Sequence, residues 1–146
     1  MKKIARSNYF KILVVLFLCC FCSGCGIKKE NQPDLLSSFR INRNENLVVI
    51  ANRSVIDDKE EFARQLVRMC KENSFKSIKF FTDRGYATSL DMSVYLWRDE
   101  VKDQEPVMIV EYKPNEWNQE YGIVNNPEEF GLYVDGELVA YINANI

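Results

Sequence analysis

Five cysteines are the residues of this chain best suited to chemistry, and four of them crowd into the first 25 residues. A zinc site closed by protein ligands needs spaced pairs of cysteine or histidine. The chain has no histidine, and Cys70 stands alone downstream. A disulfide framework needs partners spread along the fold. The early cysteines instead lie in or directly after an apolar run, which favours a role in export or anchoring: Cys19, Cys20, Cys22 and Cys25.

The amino-terminal segment has the features of a secretion signal. Lys2, Lys3, Arg6 and Lys11 form a positive region without an acidic residue, and residues 12–22 are apolar. This apolar stretch is short for a permanent transmembrane helix, which needs about 20 residues. A removable signal is therefore the better interpretation.

The end of this segment, Cys22-Ser23-Gly24-Cys25, resembles a bacterial lipobox, with cysteine at the position where leucine is usual. The resemblance covers only residues 1–25. It implies a signal peptide that is cleaved before Cys25, a diacylglyceryl group on the Cys25 sulfur, and a lipid-anchored protein on the extracytoplasmic face of the cell membrane. Two acyl chains anchor stably because each buried methylene contributes about 0.8 kcal/mol. An uncleaved anchor and a plain secretory signal are the alternatives.

Charge limits what the rest of the chain can bind. Without the four basic residues of the signal, residues 25–146 keep 15 of the 19 basic residues and all 21 acidic ones, a net side-chain charge of −6. This excess argues against nucleic acid as a partner and against electrostatic adhesion to anionic lipid. We therefore expect membrane contact through the lipid alone. We predict a signal over 1–24, a lipidated cysteine and polar tether over 25–38, and a single domain over 39–146.

Hydrophobic periodicity in this domain predicts one helix and several strands. A β-branched strand at 46–56 precedes a helix capped by Asp57 or Asp58. The apolar stripe of that helix falls on Phe62, Leu66, Met69 and Cys70. Strand-like segments follow at 77–83, 92–98, 106–113, 121–124 and 130–142, the last with a hairpin turn at Asp135-Gly136.

The later connections are too short for parallel crossovers. We therefore predict an α+β fold, in which one amphipathic helix packs on a mostly antiparallel sheet of five or six strands in the order β-α-β-β-β-β. This element order is similar to that of cystatin-like domains, and the similarity carries no statement about function.

Alternation along the strands sorts their residues into two faces. One parity is aliphatic and is predicted to pack beneath the helix: Met92, Val94, Leu96, Val107, Ile109, Phe130, Leu132, Val134, Leu138, Ala140 and Ile142. The other parity includes Met108 and Val110 but is rich in aromatic residues, which are enriched at interfaces. We predict that this face binds a protein or peptide through Tyr95, Trp97, Tyr112, Tyr133 and Tyr141. The alternatives are the preference of aromatic residues for strands and a covering loop at 114–129.

Catalytic signals are weak. The chain has neither a histidine base nor a glycine-rich phosphate loop, and Cys70 lies on the apolar helix stripe. We expect no catalytic role, no cofactor and no metal. Trp117 either contacts a sugar or protein or closes the end of the core. Two other functions stay open: a small carboxylate-dependent hydrolase of envelope glycans, which needs two acidic side chains at one pocket, and a homodimeric structural lipoprotein.

Overall fold

The computed structural model describes residues 31–80 and 86–141, apart from the side chains of Ala140 and Tyr141. The predicted signal and Cys25 lie outside these residues. Two short 3-10 helices, Arg98–Lys102 and Pro127–Glu129, lie in connections. The main elements are β1 (Asp34–Ile41), β2 (Asn44–Ile50), α1 (Lys59–Glu72), β3 (Ser89–Tyr95), β4 (Met108–Pro114), β5 (Phe130–Val134) and β6 (Glu137–Tyr141).

The strands form one sheet in their sequence order, from β1 at one edge to β6 at the other. Every neighbouring pair is antiparallel except β2 and β3, which are parallel. A parallel pair needs a crossover connection, and α1 lies in the connection between these two strands. From β2 onward the order is the predicted β-α-β-β-β-β. The predicted α+β class, with one helix on a mostly antiparallel sheet, is confirmed.

Helix α1 begins where the sequence predicted it. Asp58 is the N-cap, and its Oδ1 accepts a hydrogen bond of 2.9 Å from the backbone N–H of Glu61. The helix ends at Asn73, whose φ of 51° is left-handed, a conformation that asparagine tolerates. Among the described residues, no helix has the length and apolar character that a membrane crossing requires. The buried face of α1 consists of Phe62, Ala63, Leu66, Val67 and Cys70.

The core lies between α1 and one face of the sheet. The helix contacts β4 and β5 most closely. The ring of Tyr112 stacks on that of Phe130, with their centroids 4.7 Å apart. Ile123, from the connection between β4 and β5, is also buried in this core, so part of that connection packs on the helix side of the sheet. The strands contribute Leu35, Leu47, Val49, Leu90, Met92, Val94, Met108, Val110, Tyr112, Phe130, Leu132 and Val134.

The predicted tether is partly a strand, and the predicted start of the domain at residue 39 is wrong. Strand β1 begins at Asp34 and pairs antiparallel with β2, and the Leu35 side chain is buried. The Asp34 carboxylate accepts hydrogen bonds of 3.0 Å from the backbone N–H groups of Leu35, Lys76 and Ser77, and another from the Ser77 hydroxyl. These contacts attach the beginning of β1 to the segment that follows α1.

Two segments predicted as strands are irregular where the structure describes them. Residues 77–80 form no strand, and residues 81–83 lie outside the described part of the chain. Residues 121–124 form no strand, and a turn covers residues 123–125. The predicted hairpin between β5 and β6 is confirmed, because Asp135 (φ 51°) and Gly136 (φ 85°) supply the two left-handed residues of its turn.

Candidate binding surfaces

The sheet face opposite α1, which we call the open face, carries apolar and charged side chains together. Among its residues are Ser37, Phe39, Ile41, Asn46, Val48, Asp91, Ser93, Tyr95, Ile109, Glu111, Lys113, Tyr133 and Leu138. Four large apolar side chains are exposed to solvent: Phe39 (55%), Ile41 (58%), Ile109 (37%) and Leu138 (38%). Exposed apolar surface of this kind marks interaction sites when it is contiguous.

The predicted facing of β3 and β5 is confirmed, but that of β4 is wrong. Met108 and Val110 are buried beneath the helix, whereas Ile109 is on the open face. Both parities of this strand are apolar at its beginning. The second half of the strand decides its orientation. Glu111 and Lys113 require solvent, so Ile109, which shares their face, is also on the open face, and Met108, Val110 and Tyr112 point into the core.

The predicted facing of β6 is also wrong at Leu138. The register between β5 and β6 shifts between Leu132 and Tyr133, so that Tyr133 pairs with Leu138. An extra residue in one strand changes the face of the residues beyond it. Leu138 therefore lies on the open face, and Val139 packs against the core.

Tyr112 does not belong to the predicted binding face. Its side chain is fully buried, where it stacks on Phe130 and lies beneath the ammonium group of Lys71, 5.1 Å from the ring centroid. Burial raises the pKa of the Tyr112 hydroxyl, and the charge of Glu128 raises it further. The hydroxyl is buried without a hydrogen-bond partner among the described residues. Tyr112 is therefore a core residue.

Of the other four predicted binding residues, the three whose side chains the structure describes lie apart from one another. Tyr95 and Tyr133 lie half-buried on the open face. The β3 residue level with Tyr133 is Asp91, and Tyr95 is four residues further along β3, about 13 Å away. Trp97 is half-buried beyond the end of β3, where it precedes the first 3-10 helix. Tyr141 pairs with Gly131 through its backbone, and its side chain lies outside the described part of the chain. The structure does not bring the described rings, those of Tyr95, Trp97 and Tyr133, into one cluster.

A row of side chains crosses the open face instead. Successive strand pairs place one residue of each strand at the same level, and we call this set the central row. Its apolar members are at the outer strands, and its two carboxylates are on β3 and β4. In strand order the row is Phe39, Asn46, Asp91, Glu111, Tyr133 and Leu138.

The carboxylates of the central row differ in their partners. Lys113 Nζ lies 2.8 Å from Glu111 Oε1. Asp91 forms no hydrogen bond or ion pair with any described residue. Burial raises the pKa of Asp91, as does the negative charge of Glu111, while Lys113 opposes the rise. Asp91 is therefore a half-buried acid whose charge is incompletely compensated.

Tyr133 is held in place by its neighbours on the open face. Its ring lies beside Gly131, where an added Cβ would be 2.9 Å from Tyr133 Cε2 and 3.1 Å from Leu138 Cδ1. On the ring face, Lys113 Nζ lies 4.6 Å from the centroid. The absence of a side chain at Gly131 thus allows the ring to lie close to the sheet, next to the charged residues.

A second candidate surface is a groove at the turn between β1 and β2. Trp117, which is 66% exposed, lines it and does not close the end of the core. Arg43 forms the base: its guanidinium donates to the carbonyl oxygens of Tyr86 (2.9 Å) and Gln119 (2.5 Å). The groove has a volume of ≈ 510 Å³ and is lined by Asn42, Arg43, Asn44, Thr88, Trp117 and Gln119.

Cys70 and Glu45, which could in principle react or bind a metal, are buried in the core and contribute to its packing and hydrogen bonding. Cys70 is buried as predicted, and burial raises the pKa of its thiol, with a further rise from the charge of Glu45. The Glu45 carboxylate is itself buried and accepts hydrogen bonds from the Ser38 hydroxyl and from Arg40 Nε, the latter at 2.6 Å. Within residues 31–80 and 86–141, no three His, Cys, Asp or Glu residues form a group that could hold a metal ion.

No family model, curated protein or solved structure matches the chain. The two candidate surfaces are therefore defined by the chemistry of their own residues.

Proposed function

We propose that this chain is a lipid-anchored binding protein on the extracytoplasmic face of the cell membrane, without a catalytic role. The open face would hold an apolar segment of a partner protein, with a Lys or Arg side chain of that segment placed at Asp91. The observation that carries the proposal is the central row, in which an incompletely compensated carboxylate lies between exposed apolar side chains.

Charge complementarity favours this partner chemistry. Glu111 is already paired with Lys113, whereas Asp91 is half-buried, feels Lys113 only at longer range and forms no ion pair of its own within the described residues. A basic side chain brought by a partner would pair with Asp91 in a site that binding removes from water, where charge-assisted hydrogen bonds are strongest. The carboxylate therefore favours a basic partner and disfavours an acidic one.

The apolar ends of the row would supply the buried area. Phe39 and Leu138 lie at opposite edges of the sheet, with Tyr133 beside Leu138. Tyrosine and other aromatic anchors dominate many interfaces because they bury large area at a small entropic cost. Tyr133 is also fixed by Gly131 and Lys113 before any partner binds, so little side-chain entropy remains to be lost.

The anchor would keep the open face close to the membrane. Cys25 is nine residues before Asp34, the first residue of β1. Nine residues extend at most about 30 Å. A lipid on Cys25 would therefore confine the domain to partners in the membrane or immediately outside it.

Site-specific photo-cross-linking in the native cell tests the binding surface. A photoreactive amino acid replaces Ser93 on the open face, and in a matched control it replaces Arg68, an exposed residue of α1. The full chain is cross-linked and its adducts are identified by mass spectrometry. We expect one specific adduct from position 93 and none of the same mass from position 68.

Charge reversal completes this test. Asp91→Arg should remove the adduct, and replacing the basic residue of the identified partner with Glu should restore it. An adduct that survives Asp91→Arg, or that forms equally from position 68, would refute the open-face proposal. An adduct to a second copy of the chain would replace it with the homodimeric structural role.

The anchor has its own test. Intact mass measurement of the protein from its native membrane should give a chain that begins at Cys25 and carries acyl groups. Cys25→Ala should abolish both the acylation and the retention in the membrane fraction. A chain that begins at Met1 without fatty acyl groups would contradict the proposed location and leave the open face to be judged separately.

We infer a second candidate, hydrolysis of envelope glycans, from the direct pairing of Asp91 with Glu111. Side chains opposite one another in an antiparallel pair have Cβ atoms about 5 Å apart, so Asp91 and Glu111 project from the same face, as the two carboxyl groups of a glycosidase must. The raised pKa of Asp91 would suit the acid role. The test is release of reducing ends from cell-wall glycan, which both Asp91→Asn and Glu111→Gln would have to abolish.

A further inference from the structure

We propose that the groove between the β1–β2 turn and Trp117 binds a neutral saccharide, with a sugar ring stacked on the Trp117 indole. This inference is independent of the open face, and its ligand is of a different class. It shares with the proposed function only the expectation that the domain faces the cell envelope.

The size and shape of the groove suit a small ligand. Its volume of ≈ 510 Å³ lies within the range of about 300–1,000 Å³ found for small-molecule sites. Trp117 is 66% exposed although the same loop buries Ile123 in the core. The loop therefore places Ile123 in the core but leaves its largest apolar residue, Trp117, exposed beside the groove.

The walls of the groove are fixed before a ligand binds. The backbone N–H of Thr88 donates to the carbonyl of Arg43 (2.8 Å), and the Thr88 hydroxyl lies 3.2 Å from both that carbonyl and Asn44 Oδ1. Arg43 then joins the turn to the Trp117 loop through the carbonyl of Gln119. A site held by hydrogen bonds on both sides loses little entropy on binding.

The lining favours a neutral ligand. The described residues that line it include no carboxylate, and the cation among them, Arg43, already donates through both terminal nitrogens to the carbonyls of Tyr86 and Gln119. Three side-chain amides and one hydroxyl complete the described lining. The amides both donate and accept hydrogen bonds, and the Thr88 hydroxyl, whose proton is directed to Arg43 and Asn44, can still accept one. Hydroxyl groups of a sugar match them. The apolar face of a pyranose ring matches the flat indole, whose π-face accepts weak C–H contacts.

A peptide is the less favoured occupant. Extended peptides gain affinity from main-chain hydrogen bonds to an unpaired strand edge. At the base of this groove the backbone groups of Arg43 and Thr88 already bond to each other. The groove offers side chains rather than a free backbone ladder.

Tryptophan fluorescence of the full chain in detergent tests the inference. Trp97 and Trp117 are the two tryptophans, so a Trp97→Phe background makes the emission report on Trp117 alone. The probes are the tetrasaccharides chitotetraose, cellotetraose and maltotetraose, followed by calorimetry with the unaltered chain. We expect a saturable shift in emission with at least one probe, and the difference between chitotetraose and cellotetraose shows whether the acetamido group contributes.

Variants assign the binding to the groove. Trp117→Ala should weaken the affinity measured by calorimetry at least tenfold, and Trp117→Tyr should restore most of it. Tyr133→Ala, on the open face, is the control and should leave saccharide affinity unchanged. No saturable binding of any of the three probes, or full affinity in Trp117→Ala, would overturn the inference. Displacement of the probe by a proline-rich peptide with higher affinity would also overturn it, because the occupant would then be a peptide.

Discussion

Asp91 lies directly opposite Glu111 on the two middle strands of the open face. One nearby cation, Lys113, contacts Glu111 and leaves Asp91 without an ion pair among the described residues. When two neighbouring carboxylates share one nearby cation, the charged form of the less well paired acid is disfavoured. Such an arrangement costs stability in the folded domain, because the charged form of Asp91 is disfavoured there.

Asp91→Asn should raise the free energy of unfolding at pH 7, by only a few tenths of a kcal/mol, because solvent screens a half-buried charge. The native pKa of Asp91 is raised, so the folded state holds this proton more tightly than the unfolded state. Stability therefore falls as pH rises from the ordinary aspartate range through the native pKa. Urea unfolding of the full chain at pH 7 measures the gain, which should disappear well below pH 4.

Two variants provide the control for Asp91. Glu111→Gln removes the like charge and should lower the pKa of Asp91, as followed by carboxyl NMR titration. Lys113→Met removes the opposing cation and should raise it. An Asp91 pKa that both variants leave unchanged would show that the cross-strand coupling is absent.

Tyr112→Phe should leave the protein as stable or make it more stable by about 1 kcal/mol. The Tyr112 hydroxyl is buried without a partner among the described residues, and an unsatisfied buried polar group costs free energy. Tyr112→Ser, by contrast, removes the ring that stacks on Phe130 and should cost about 3–5 kcal/mol. Chemical denaturation distinguishes them. A clear loss of stability in Tyr112→Phe would mean that the hydroxyl contributes a bond.

Asp34→Ala should lower the free energy of unfolding at pH 7 by about 2 kcal/mol, because hydrogen bonds to a charged group are lost. Burial raises the pKa of Asp34, but the bonds from Ser77, Leu35 and Lys76 outweigh it, and the native pKa is lowered. The stabilisation is complete above the unfolded pKa and is lost as pH falls through the native one. The difference between the unaltered chain and Asp34→Ala should therefore shrink in acid, and an equal difference at pH 7 and pH 2 would contradict this account.

Cys70 should resist alkylation in the folded protein. Its thiol is buried, and burial raises its pKa, so the reactive thiolate is scarce. Mass spectrometry of the Cys70 peptide should show iodoacetamide labelling at least about 100-fold slower than in denaturant. Val55→Cys, at an exposed position, is the reference that should label rapidly without denaturant. Rapid labelling of Cys70 in the native state would place it outside the core.

Local signals were sufficient for the helix and the last hairpin. Asp58 caps α1 because its carboxylate accepts a hydrogen bond from the backbone N–H of Glu61, three residues away, an interaction that does not depend on the rest of the fold. Asp135 and Gly136 similarly adopt the left-handed conformations that a two-residue turn needs. These features depend on neighbours within four residues, so their residue types identify them.

Strand β1 and the facing of β4 could not be predicted in this way. β1 is polar over Ser37 and Ser38 and follows a proline, and it becomes a strand because β2 pairs with it. In β4, Ile109 and Val110 are equally apolar, so alternation alone leaves either face possible. The charged residues Glu111 and Lys113 indicate which face of β4 meets solvent, whereas the aromatic residue Tyr112 suggested the opposite face.

The sequence by itself determined helix α1 with its cap, the turn of the last hairpin and the acidic balance. The first two depend on residues close together in the chain, and the third depends on composition alone. Only the tertiary structure decided which side chains share a surface. The central row draws one residue from each of six strands between Phe39 and Leu138, and the Trp117 groove joins two turns far apart in sequence. Both depend on strand register, and a shift of one residue in a strand moves all of its side chains to the opposite face.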